Sequence, residues 1–112
     1  MRFHVLLSSF ALCALCTACF RNETTHFEMT VPDMTGEADA ARIRASFSDM
    51  LEKRTVTSFE ADVPAHRIAC DFNNRELGEC NLLYAVARAG YDANGWKALP
   101  ADVAERRKAV PE

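Results

Sequence analysis

The chain has no uninterrupted apolar run of the roughly 18 to 20 residues that a membrane-spanning helix needs, which excludes a polytopic membrane protein. It has no basic block either. Its 13 Lys and Arg stand against 16 Asp and Glu, a formal net charge of −3, so the electrostatic footprint of a nucleic-acid binder is missing. Glycine and proline number only four each, and charge is mixed with apolar residues, which excludes wholesale disorder. No repeat or low-complexity tract occurs. No nucleophile–base pair, phosphate-cradling glycine loop or zinc-ligand set is spaced along the sequence, so nothing points to an enzyme. What is present, 112 residues of which 49% are hydrophobic, suffices for one small globular domain and not for two.

The first residues read as an address. Arg2 supplies a thin positive region, Phe3 to Leu15 is apolar apart from His4, Ser8 and Ser9, and the small residues Thr17 and Ala18 follow. That order is a secretory signal peptide spanning residues 1–18. Three readings of its end stay open: ordinary cleavage after Ala18, an uncleaved anchor, or a bacterial lipobox in Cys16-Thr17-Ala18-Cys19 that makes Cys19 the lipidated N-terminus. The last is favoured, although Cys16 stands where a leucine is usual. Phe20 after Cys19 then directs the expected lipoprotein to the outer membrane, on the periplasmic side. Cys13, Cys16 and Cys19 form C-x-x-C-x-x-C, but all three belong to the export signal, where Cys13 and Cys16 are cut away with its core and Cys19 marks the cleavage point, so they bind no metal. Loss of residues 1–18 leaves 94 of the 112 residues and moves the charge from −3 to −4, because Arg2 goes with them. Cys70 and Cys80 remain, in a compartment where a disulfide can persist.

Periodicity supplies the fold. Phe27, Met29 and Val31 alternate with His26, Glu28 and Thr30 as in a half-buried strand, ended by Pro32-Asp33. Ala40, Ile43, Phe47 and Met50 recur at helical spacing, which predicts a helix from about 36 to 51, with Thr35 as N-cap and Glu37 and Asp39 favourably placed in the dipole of its first turn. Phe59, Ala61 and Val63 mark a second strand, Pro64-Ala65-His66 a turn, and Ile68, Cys70 and Phe72 a third strand antiparallel to the second. Leu82, Val86 and Ala89 line a helix from about 77 to 89, closed by Gly90. Tyr91 to Ala93 is expected as a short fourth strand, and Asn94-Gly95 ends the domain. The expected architecture is α+β: a ferredoxin-like βαββαβ two-layer sandwich, with a four-stranded antiparallel sheet and two helices on one face. It occupies residues 25–95. Residues 96–112 form a tail with a short helix, starting at Pro100, that is loosely docked or frayed.

Residues 25–93 resemble the heavy-metal-associated (HMA) domain family, the module of copper chaperones, P-type ATPase tails and a periplasmic mercury-binding protein. Phe27-x-Met29-x-Val31-Pro32-Asp33-Met34-Thr35 is similar to the family's first strand and the approach to its metal loop. Val56-Thr57-Ser58-Phe59-Glu60-Ala61-Asp62-Val63 resembles its second strand. Leu82-Leu83-x-Ala85-Val86-x-x-Ala89-Gly90-Tyr91-Asp92-Ala93 resembles its second helix and closing segment. Between Phe47 and Val56 the chain is about three residues longer than the family pattern and lacks its glycine. The resemblance implies two thiolates in Met-Thr-Cys-x-x-Cys, at a helix N-terminus, holding Cu(I) or Hg(II). Here the loop is Met34-Thr35-Gly36-Glu37-Ala38-Asp39, with Gly36 and Asp39 at the cysteine positions. Glycine offers no ligand and a carboxylate is a hard donor, so a soft two-sulfur site cannot be built.

Other candidates are weaker. Met34, Glu37 and Asp39, with Asp33 nearby, form a candidate metal loop, yet capping and the helix dipole explain the acids and core packing explains Met34. His26 and Glu28 share the outward face of the first strand. His66 is expected to be a solvated turn residue. Cys70 should point inward and Cys80 away from the sheet, which leaves both a Cys70–Cys80 disulfide and two free thiols open. Tyr91 and Trp96 are expected to close the core or the tail contact. The leading functional expectation is an exported, lipid-anchored HMA-like binding or adaptor module with a degenerate metal loop, no cofactor, and an unidentified envelope protein as partner. The alternatives are a copper- or mercury-class protein holding a metal through non-cysteine or shared ligands, and a thiol function of Cys70 and Cys80.

Overall fold

The structure is a computed structural model and describes residues 23–111. The segment expected to be a signal peptide, residues 1–18, and the expected lipidation site Cys19 lie outside the described residues. Strand β1 (Thr24–Thr30) leads through a loop into helix α1 (Glu37–Ser46) and the short helix α2 (Ser48–Glu52). Strands β2 (Val56–Asp62) and β3 (Arg67–Asn73) form a hairpin, followed by α3 (Glu79–Arg88) and α4 (Pro100–Ala109). The sheet order is β1-β3-β2, antiparallel throughout, with Phe27 opposite Cys70 and Phe59 opposite Cys70 on the other side. Alternation decides which residues enter the core. Met29, Ile68, Cys70 and Phe72 point to the helices and are buried, together with Ile43 and Phe47 of the α1–α2 stretch and Leu82 and Val86 of α3. The opposite sheet face carries His26, Glu28, Ser58 and Asp71 and is open. A bulge between Val56 and Ser58 lets both Val56 and Phe59 face the core.

Four expectations are corrected. The sheet among the described residues has three strands, and Tyr91–Ala93 is not a fourth. Asn94 and Gly95 both take positive φ (49° and 81°), and Ala93 pairs with Trp96 in a tight turn that steers the chain off the β1 edge. Of that segment, Asn94 reaches the edge: its backbone N–H donates to the Thr30 carbonyl (3.1 Å) and its Oδ1 accepts from the Thr30 N–H (2.7 Å).

The expected single helix 36–51 is broken at Phe47. The Ser46 hydroxyl donates to the Ile43 carbonyl at 2.6 Å, competing with the helical ladder, and the Phe47 N–H turns to Arg44 instead of Ile43. Its N-cap is Gly36 and not Thr35.

The tail helix is closely docked and not loose. Gly90 has φ +97°, and a Cβ there would stand 2.5 Å from the Asp102 carbonyl oxygen and 2.7 Å from Arg106 Cβ, so only glycine permits this approach. The Arg106 side chain is 12% exposed.

Candidate functional site

The loop between β1 and α1 is the place to which the sequence pointed, and it is tied down from three sides. From β3's leading turn, the His66 carbonyl accepts the Val31 N–H at 2.7 Å, and His66 Nδ1–H donates to the Met34 carbonyl at 2.9 Å. His66 holds a left-handed backbone (φ 56°) and is half-buried, so it braces the loop and is not the solvated residue expected. Within the loop, the Met34 N–H donates to the Val31 carbonyl at 3.1 Å, closing a turn that drives the Met34 side chain wholly into the core.

The third tie is Asp39. Its side chain turns back from the first turn of α1, and Oδ2 accepts the Thr35 N–H (3.0 Å), the Gly36 N–H (3.1 Å) and the Thr35 hydroxyl (3.3 Å). Oδ1 accepts the Tyr91 hydroxyl at 2.5 Å from the segment after α3. Asp39 is 7% exposed. Burial opposes its ionisation, but the Tyr91, Thr35 and Gly36 hydrogen bonds outweigh that cost and hold its pKa below the usual carboxylate range. Burial, and then the bond to Asp39, push the Tyr91 phenol above its ordinary value.

Tyr91 in turn lies under α4. The Arg106 guanidinium sits 4.6 Å from the Tyr91 ring centroid and 3.6 Å from Asp33 Oδ2. An open cleft of about 660 Å³ separates the loop residues Asp33, Thr35 and Glu37 from Arg106, Arg107 and Val110 at the end of α4. A relay of contacts therefore runs from α4 through Arg106, Tyr91 and Asp39 to the loop.

The metal candidates separate accordingly. Asp39 has both oxygens engaged, Met34 is enclosed, and Glu37 and Asp33 are exposed carboxylates. Among the described residues no group of three or more His, Cys, Asp or Glu is placed to hold a metal ion. Cys70 and Cys80 are both free thiols, the first buried and the second exposed, so the disulfide left open above is not formed. Burial pushes the Cys70 thiol up to about 12, which leaves it protonated and ill suited to the thiol chemistry also considered above.

A second polar group stands on the open sheet face. His26 Nδ1 lies 2.8 Å from Asp71 Oδ1, its Nε2 lies 3.1 Å from Glu28 Oε2, and the Ser58 hydroxyl donates to Asp71 Oδ2 at 2.9 Å. The bonds to Asp71 and then Glu28 raise the His26 pKa, and those from His26 and Ser58 lower that of Asp71. Sequence reasoning placed His26 beside Glu28 but missed Asp71, whose partnership depends on the β1–β3 register. It also missed the Asp39–Tyr91 bond and Arg106. Their signals were a tyrosine after the helix-ending glycine and a basic last turn, and neither names a partner.

Comparison with known proteins adds one likeness. The structure of oxidized MerP from Ralstonia metallidurans CH34 superposes with a TM-score of 0.57 over 63% of this chain and 94% of that one, at 21% identity. The two share a fold. At that identity the likeness to MerP shows the fold alone and says nothing about ligands. No family model and no curated protein matches the chain. Among the described residues no helix is long and apolar enough to cross a membrane.

Proposed function

We propose that the chain is an exported HMA-like binding module, anchored through lipid on Cys19 to the periplasmic side of the outer membrane, which recognises a protein partner of the envelope and performs no catalysis. The observation that carries this reading is the use of Asp39. At the position where the resemblance implies a thiolate, a carboxylate spends both oxygens on holding the loop shut. A loop closed by its own hydrogen bonds is a rigid surface and a poor chelator of Cu(I) or Hg(II). The test is Cu(I) competition against a chromogenic chelator under reducing conditions. The expected result is no stoichiometric transfer to the protein, and tight one-to-one binding overturns the reading.

A second reading, a metal-handling protein with oxygen or shared ligands, is favoured by the fold shared with MerP together with the exposed carboxylates of Asp33 and Glu37 beside the loop. It requires a rise in melting temperature with copper, zinc, nickel or calcium that Glu37→Ala removes. Glu37 is the better probe than Asp39, whose loss disturbs the loop whether or not metal binds. No shift with any of these ions eliminates this reading.

A further inference from the structure

We propose that α4 is an autoinhibitory strap: it occupies the recognition face of the domain, and a cationic helix of the envelope partner takes the same seat by displacing it. This rests on the binding-module reading above and gives that module its surface. The seat consists of Arg88, Gly90, the Tyr91 ring and the loop carboxylate of Asp33.

α4 is fastened as a ligand is and not as a core helix. None of its ten residues is buried, so apolar burial contributes little to holding it. Its ion pairs with the seat, Arg106 Nη1 to Asp33 Oδ2 at 3.6 Å and Arg88 Nε to Asp102 Oδ2 at 3.7 Å, are longer than the about 2.7–2.9 Å of a charge-assisted hydrogen bond. Docking also has a cost. Asp102 Oδ2 is shut off from water with no hydrogen-bond partner, and it regains hydration when α4 lifts. At the other end, the Arg106–Asp33 pair stands beside the open cleft and Asp33 is exposed, so a competing cation reaches it from solvent.

The seat also fixes the chemistry of the competitor. An aromatic face beside a carboxylate suits a planar guanidinium, which stacks on the ring and pairs with Asp33 at once, whereas an ammonium does one or the other. The bare Gly90 admits a helix backbone at close approach. Asp102 and Arg106 stand one helical turn apart, the acid facing Arg88 and the arginine facing Asp33. The displacing segment is therefore a helix with an acid and an arginine four residues apart, laid along the seat as α4 is. While α4 is docked it lowers the apparent affinity of any such helix, because only the open fraction of the domain can bind it.

Fluorescence anisotropy of a labelled peptide of residues 98–111, titrated with the full-length chain in detergent, tests this. Ala104→Pro, at an exposed position, breaks α4 in the chain and leaves the seat unaltered. Arg106→Glu lifts α4 by repulsion from Asp33. Both variant chains are expected to bind the wild-type peptide about tenfold or more tighter than the wild-type chain does. Asp33→Arg added to Ala104→Pro should abolish that binding, and a peptide carrying Arg106→Lys should bind about threefold or more weakly. Equal binding by the wild-type and variant chains overturns the proposal, as does no binding up to millimolar peptide or binding indifferent to Asp33→Arg. Unfolding of both variants, seen as lost protection of the β3 amides, overturns it too, because α4 is then part of the core and not a strap. No metal and no envelope protein enters the titration, so its failure leaves the binding-module reading standing, while tight Cu(I) binding overturns that reading whether or not α4 lifts.

Discussion

Asp39 gathers four donors on two oxygens, and each of them depends on a different feature of the chain: two successive amides, one hydroxyl and one distant phenol. Tyr91→Phe removes one donor and leaves Oδ1 buried without a partner, so it should cost about 1–3 kcal/mol in urea unfolding. Asp39→Asn should cost a similar amount, because an amide must turn its NH₂ toward either the tyrosine or the loop. The double variant should cost less than the sum, and strict additivity in the cycle would show that the two side chains do not act through one another. The acid side of the stability curve follows from the direction of the Asp39 shift. Its folded pKa lies below the unfolded value of about 4, so the stabilisation is present above that pH and fades as pH falls through the folded pKa. Asp39→Asn should therefore flatten the stability loss below about pH 4. His26 has the opposite sign. With a raised folded pKa, its contribution is complete below its unfolded value and is lost as pH rises through the folded one. The thiols give a simpler check. Iodoacetamide should modify Cys80 in the native protein and Cys70 only after denaturation, read by mass at the two peptides. Native labelling of Cys70 contradicts its burial.

Among the elements, the strands and the two main helices are legible from apolar spacing because local alternation and tertiary burial agree on Met29, Ile43, Ile68, Phe72, Leu82 and Val86. The features that were not legible each turn on one side chain overriding a pattern. Ser46 breaks a helix whose apolar stripe continues through Phe47 and Met50, and Asn94 with Gly95 turns away a segment whose composition suits a strand. The docking of α4 was hidden for another reason. No residue of α4 is buried, so it has no apolar stripe to read. It is held by Arg106 on Tyr91 and Asp33, by Arg88 Nε 3.7 Å from Asp102 Oδ2, and by the close approach at Gly90. Gly90→Ala attacks the last of these twice, since the new methyl meets backbone and the φ of +97° is strained for alanine. A loss of about 1–3 kcal/mol is expected, with new protease cleavage inside residues 100–109. An unchanged melting temperature in Gly90→Ala would falsify the close contact.

For the molecule as a whole, a domain this small has little stability in reserve, and α4 supplies a share that comes from ion pairs and one cation–ring contact in place of buried apolar area. That share should be salt-sensitive, unlike the sheet–helix core. Its position gives it a second consequence, because the Arg106–Tyr91–Asp39 relay ends on the two amides that close the loop. A chain ending after Leu99 should fold, since the buried residues lie before that point, but should be less stable by about 1–3 kcal/mol. The Thr35 and Gly36 amides should exchange faster in it than in the full-length chain, by more than those of β3. Uniform acceleration across β3 and the loop would mean that α4 stabilises the domain without bracing the loop in particular. Unchanged exchange at Thr35 and Gly36 would mean that Asp39 and Tyr91 hold the loop without help from Arg106, and that α4 is separable from the site it overhangs.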